Sequence, residues 1–176
     1  MKKSLFIVLS ILTLSCNNDE TSNQSNNKDL KLVTGINLRQ NFDDPPLKLG
    51  NPNVLVNNKF SIYPNPAQNM VSILAQDNVN DVWLVPATPE KIYQSVNFSS
   101  ILTNNLFSEQ SINSNSIISV NSQSANNLMI NLETLEKGYY KVFVKIDGVI
   151  YWDNLYKYDS QIDSSLQFTS INAFWN

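Results

Sequence analysis

The chain has no histidine among its 176 residues. That absence removes Ser-His-Asp and Cys-His nucleophile activation, the commonest general base, and most zinc or iron sites. A single cysteine, Cys16, leaves no internal disulfide to pin the fold. Glycine stands only at 35, 50, 138 and 148, too sparse for a phosphate-cradling loop. Positive charge is short too, with twelve Lys and Arg against fifteen Asp and Glu. Nucleic acid demands a basic face, so no nucleic-acid partner is expected. The carboxylates do not fill the gap. Asp43-Asp44 and the group around Asp77 and Asp81 lack the spacing and glycine pivot of an EF-hand, and read as solvated turns. Fifteen acidic residues always allow some glycosidase-like pair, but nothing singles one out. The expectation is a protein without catalytic residues, cofactor or metal.

What is present begins with an address. "MKKSLFIVLSILTLSC" has a basic start, a ten-residue apolar run from Leu5 to Leu14, and Ser15 before Cys16. Those zones define a secretory signal over 1–15, and the run is too short for a membrane span of about 20 residues. A lone thiol outside the cytosol needs another use. "LTLSC" resembles the lipobox of bacterial lipoproteins, which implies cleavage before Cys16 and acylation of it. Thr13 and Ser15 stand where such boxes usually carry Leu and Gly or Ala. The following stretch, Asn17 to Asp29, has no large apolar residue and cannot offset its chain entropy by burial. Residues 16–31 are therefore expected to be a disordered tether. Asp19-Glu20 resembles the surface-export signal of Bacteroidota lipoproteins. Losing Lys2 and Lys3 with the signal leaves ten basic against fifteen acidic residues, a formal charge of −5. Membrane contact is thus expected through acyl chains rather than surface charge. The implied location is the outer membrane, on its periplasmic or surface face.

The remaining body, about 145 residues, suffices for one domain with a core. Apolar residues come in short runs at period two over 70–75, 81–85, 116–120 and 127–132, each of strand length. In "GYYKVFVKIDGVIYWDNLYKY", Tyr140, Val142, Val144 and Ile146 alternate with Lys141, Phe143 and Lys145. Asp147-Gly148 then supplies two positive-φ positions, and Val149 to Tyr156 runs back as the second arm of a hairpin. Residues 97–110 give a weak helical signal. The predicted fold is all-β, an immunoglobulin-like antiparallel β-sandwich, with a small β-barrel as the alternative. Trp83 and Trp152 lie in strand patterns and read as core.

"FSIYPNPAQNMVSIL" breaks this pattern. Pro64 and Pro66 remove two donors and fix φ, so the chain leaves any central ladder there. Tyr63, Pro64, Asn65, Pro66 and Ala67 are read as a rigid joint. The stretch also resembles the opening of the C-terminal sorting domain of type 9 secretion cargo, and 135–158 resembles that domain's closing hairpin. The resemblance spans about 58–158 and implies a small β-sandwich, with the motif as an address. Two departures favour the joint: residues 159–176 follow the last strand, and only 32–57 separate tether from motif, as an extended lead-in packed on the body. The C-terminal extension is expected to cover an open edge as a further strand. Two readings stay open. One is a structural or interaction module presented on a lipid anchor. The other is capture of a glycan or peptide by exposed aromatics such as Tyr93, Trp152 or Trp175, with an envelope protein or glycan as the partner.

Overall fold

The computed structural model describes residues 29–121, 124–159 and 164–176. The signal peptide expected over 1–15, Cys16 and most of the tether expected over 16–31 lie outside the described residues. Nine strands and two helices follow in order: β1 (Leu32–Val33), β2 (Gly35–Leu38), β3 (Leu47–Gly50), β4 (Phe60–Tyr63), β5 (Met70–Pro89), α1 (Glu109–Asn115), β6 (Ile118–Val120), β7 (Ala125–Asn131), β8 (Gly138–Ile146), β9 (Val149–Lys157) and α2 (Ser164–Trp175). The fold is all-β and sandwich-like, and its sheets do not close into the alternative barrel.

The spine is β5. The sequence pattern suggests two strands, over 70–75 and 81–85, but the chain runs through both as one strand of 20 residues. The intervening Gln76–Asn80 carries the break in register with both β7 and β8 instead of a turn. The first half of β5 pairs with β4 on one edge and β7 on the other. The second half pairs with β8 and β6, and β9 extends β8 outward. One strand thereby serves two parts of the sheet, which turn at the bulge. In the first half the alternation is clean. Phe60, Ile62, Val71, Ile73 and Ile130 are buried, while Ser61, Ser72 and Met129 face outward. The second half is buried on both faces, because Trp83 and Val85 point opposite to Val82 and Leu84 and all four are buried. Phe98, Leu102, Phe107 and Ile112, from the connection after β5, join the same core. This connection holds a 3-10 turn at Phe98–Ser100 and α1 at Glu109–Asn115, so the helical signal over 97–110 is split and shifted. Ser108 caps α1 by accepting from Ser111 N at 3.2 Å. Lys145 on β8 ties the helix down through Glu109 at 2.8 Å.

The β8–β9 hairpin keeps an unbroken register from Gly138↔Lys157 to Ile146↔Val149. Asp147 and Gly148 form its turn at φ of 50° and 77°. Three expectations need correction. The expected tether does not extend to Lys31: Leu30 is buried, and Lys31 O accepts from Thr88 N at 2.7 Å. Residues 32–57 are not an extended lead-in, because β2 and β3 pair as a hairpin whose Ile36, Leu38 and Leu49 form a second core with Val33. The C-terminal extension is not an edge strand; its last part is α2, whose Ile171 and Trp175, four residues apart, enter that second core. Ser, Thr and Asn between the apolar positions hid the helical period. Trp175 Nε1 donates to Tyr139 Oη at 3.0 Å, and burial pushes that phenol up to about 12. Gly50, at φ +65°, lets the indole close in, since a Cβ there would meet the Trp175 ring at 2.7 Å.

Trp175→Ala should cost about 3 kcal/mol of unfolding free energy, the range for removing a buried large side chain. Phe174→Ala, at a position 39% exposed, should cost far less. Urea unfolding of the two variants checks the difference; equal losses would mean that α2 does not dock through Trp175.

Candidate functional site

The Tyr-Pro-Asn-Pro-Ala segment is spent inside the body. Asn65 is fully buried, and the peptide bonds Tyr63–Pro64 and Asn65–Pro66 are both cis. The Asn65 backbone exchanges hydrogen bonds with Arg39, N to O at 2.7 and 2.8 Å. Its side-chain Nδ2 donates to Asn37 O and Asn154 O, each at 2.8 Å, and Oδ1 accepts from Tyr156 N at 3.1 Å. One carboxamide thus joins β2 to β9. Ala67 N then donates to Tyr156 O, and Tyr158 N to Ala67 O, both at 2.9 Å. Upstream, Leu55 bridges Trp152 on the same side. The outer edge of β9, which would otherwise present unpaired groups, is closed by these irregular segments and not by the C-terminus.

Two further buried asparagines extend the network. Asn154 Nδ2 donates to Gly35 O at 2.9 Å and to Asn53 Oδ1 at 3.1 Å. Asn53 Nδ2 donates to Leu32 O at 2.8 Å, and Trp152 Nε1 donates to Asn53 O at 2.9 Å. These side chains supply the backbone partners that the short strands β1 and β2 lack.

Beside the joint, β2, β4 and β9 line a cleft of about 250 Å³. Arg39 stands in it, its Nη1 donating to Ser61 Oγ at 2.8 Å and Phe42 O at 3.2 Å. Asp153 forms the floor, 7% exposed, and accepts from Asn154 N at 2.8 Å and Asn37 Nδ2 at 3.5 Å. Burial drives its carboxyl up to about 7, against the pull of those donors and of the Arg39 and Lys141 charges. The cleft offers one guanidinium and one carboxylic acid, without a nucleophile beside a base. Among the described residues no three His, Cys, Asp or Glu side chains gather where they could hold a metal. No helix among the described residues is long and apolar enough to cross a membrane.

The aromatic platform is not there. Trp152 is fully buried against Phe107 at 5.2 Å, and Trp175, at the end of α2, is buried in the second core. Tyr93 is half-buried at φ +56°, and its carbonyl accepts from Asn51 Nδ2 at 2.7 Å. The three candidates share no exposed row. Three of the acidic groups singled out in the sequence are occupied: Asp44 Oδ2 accepts from Asn41 N at 2.8 Å, Asp77 pairs with Lys59 at 2.9 Å, and Asp81 lies 3.8 Å from Lys145. The residues missed in the sequence are Asn53, Asn154, Asp153, Arg39 and Lys141. A signal existed for two of them, since "DN" interrupts an otherwise apolar strand at 153–154. No family model matches the chain, and no curated protein matches it either.

Asn65→Ala would leave Asn37 O, Asn154 O and Tyr156 N without this partner. At about 1–3 kcal/mol for each buried group left unpaired, the loss should exceed about 3 kcal/mol. A urea midpoint close to that of the unaltered protein would refute the clamp. Asp153 makes a second prediction. Its folded-state value of about 7 lies above the ordinary 3.8, so the native state binds the extra proton between those limits. This contribution is present in full below 3.8 and is lost as pH rises toward 7. Asp153→Asn should flatten that limb of the stability profile, measured by urea unfolding from acid to neutral pH.

Proposed function

We propose that this protein is a lipid-anchored component of the bacterial cell envelope, held at the outer membrane through acylated Cys16. Its β-sandwich would act as a non-catalytic structural or interaction module. The observation that carries the reading is the burial of Asn65. A motif that resembles a sorting signature is consumed as the clamp between β2 and β9, and the segments before and after it complete the same core. This burial supports reading the sandwich as a working body. Removing it as a signal would remove the body too. The buried tryptophans weaken a glycan platform built on Trp152 and Trp175. Capture of a small polar ligand or peptide keeps one support, the cleft with Arg39 above Asp153.

The test is to extract the protein from its native envelope and map both ends by mass. Acyl chains on Cys16 together with an intact Asn176 are the expected result. An unmodified Cys16 would sink the anchor, and loss of everything from about Lys59 onward would make the sandwich a cleaved sorting signal. Cys16→Ser should release the protein from the membrane fraction.

A further inference from the structure

Among the described residues, two buried side-chain atoms have no hydrogen-bond partner: Lys141 Nζ and Asn154 Oδ1. They belong to one cross-strand pair, for Lys141 on β8 stands directly opposite Asn154 on β9. Paired residues project from the same face of a sheet with Cβ atoms roughly 5 Å apart, well within the reach of a lysine stem. Both residues are fully buried. The lysine amine lies 5.7 Å from the centre of the Phe107 ring, which itself packs on Phe143 and Trp152. Asn154 cannot swing freely, because Nδ2 is held by Gly35 O and Asn53 Oδ1. Leaving both atoms unpaired in so dry a place is costly, and joining the two groups turns the buried, titratable amine into a neutral amide.

The pair has the right chemistry. Burial lowers the Lys141 ammonium to about 7 although Asp29 and Asp153 pull it upward, so near neutral pH a large share is the free, nucleophilic amine. A carboxamide is a poor electrophile in water. Here it stands across the strand pair from one amine, and proximity of this kind replaces a bimolecular collision. We propose that Lys141 and Asn154 become joined by an isopeptide bond. Lys141 Nζ attacks Asn154 Cγ, the Nζ–Cγ bond forms, and the Cγ–Nδ2 bond breaks. Nδ2 leaves as ammonia, carrying away the proton that Nζ gives up. No oxidant, reductant or co-reactant is consumed. Gly35 O and Asn53 Oδ1, which already accept from Nδ2, receive the N–H groups of the departing ammonia. The link would fasten β8 to β9 covalently in a chain whose only cysteine is Cys16. This inference does not depend on where the protein is anchored.

The test is a tryptic digest of the purified, folded full chain. The expected product is Gly138–Lys145 joined to Ile146–Lys157, uncut after Lys141 and lighter by one ammonia than the two peptides together. Fragmentation should place the branch between residues 141 and 154. Cleavage after Lys141 with both peptides recovered separately overturns the proposal and leaves an unlinked or water-bridged pair. Lys141→Met should restore the full mass. A mass deficit that survives in that variant also overturns it, since an asparagine elsewhere would then have cyclised. If Lys141→Met fails to fold, the digest of the unaltered chain decides alone.

Discussion

The carboxamide of Asn65 is the contact on which the rest of the arrangement rests. It meets two backbone carbonyls and one amide from strands far apart in sequence, and it does so where water cannot compete. β2 is four residues long and pairs only with β3 among the described strands, so it has no ladder of its own to hold it on β9. Asn65 and Asn154 supply that hold from either side, through Asn37 O and Gly35 O. Side chains thus perform the work that strand pairing performs elsewhere in the sheet. A buried polar network of this kind favours one arrangement, because any shifted register leaves more buried groups unpaired.

The apolar framework sets where those amides can sit. β5 is buried on both faces in its second half, so it needs cover above and below. The first part of the sheet covers one side, and the connection carrying Phe98, Leu102 and Phe107 belongs to the same core. The second core is smaller and more local. Ile171 and Trp175 of α2 complete it against Val33, Ile36 and Leu49. The N-terminal and C-terminal parts of the described chain therefore share one packing unit. That explains why neither 32–57 nor 164–176 behaves as an appendage.

Local patterning made the β8–β9 hairpin legible, because Asp147-Gly148 and strict alternation are short-range signals. The all-β class followed from strand-length runs. What escaped depends on distant partners. Residues 76–80 look like a turn in isolation, and only pairing to β7 and β8 keeps them in strand. Ser, Thr and Asn obscured the period of α2, whose helix depends on burying Trp175. Trp152 offered no local way to tell core from platform, and Phe107 decided it from 45 positions away along the chain. Lys141 sits in an alternating strand where its neighbours Lys137 and Lys145 suggest a solvated face, yet it is sealed while Lys145 reaches an acidic partner. Burial on both faces of β8 breaks the usual inside-outside code.

The parallel contact of β1 with the end of β5 bears on how the body meets mechanical load. A pull on the chain ahead of Asp29 arrives first at Leu32 and Val33, which lie alongside Thr88 and Pro89. There the backbone bonds from Thr88 N to Lys31 O and from Glu90 N to Val33 O act beside the Asn53 side chain on Leu32 O. Tension along the strand would load these bonds together as shear, while tension across it would open them one after another like a zipper. The direction of pull, more than the number of bonds, would then decide the force at which this first latch yields.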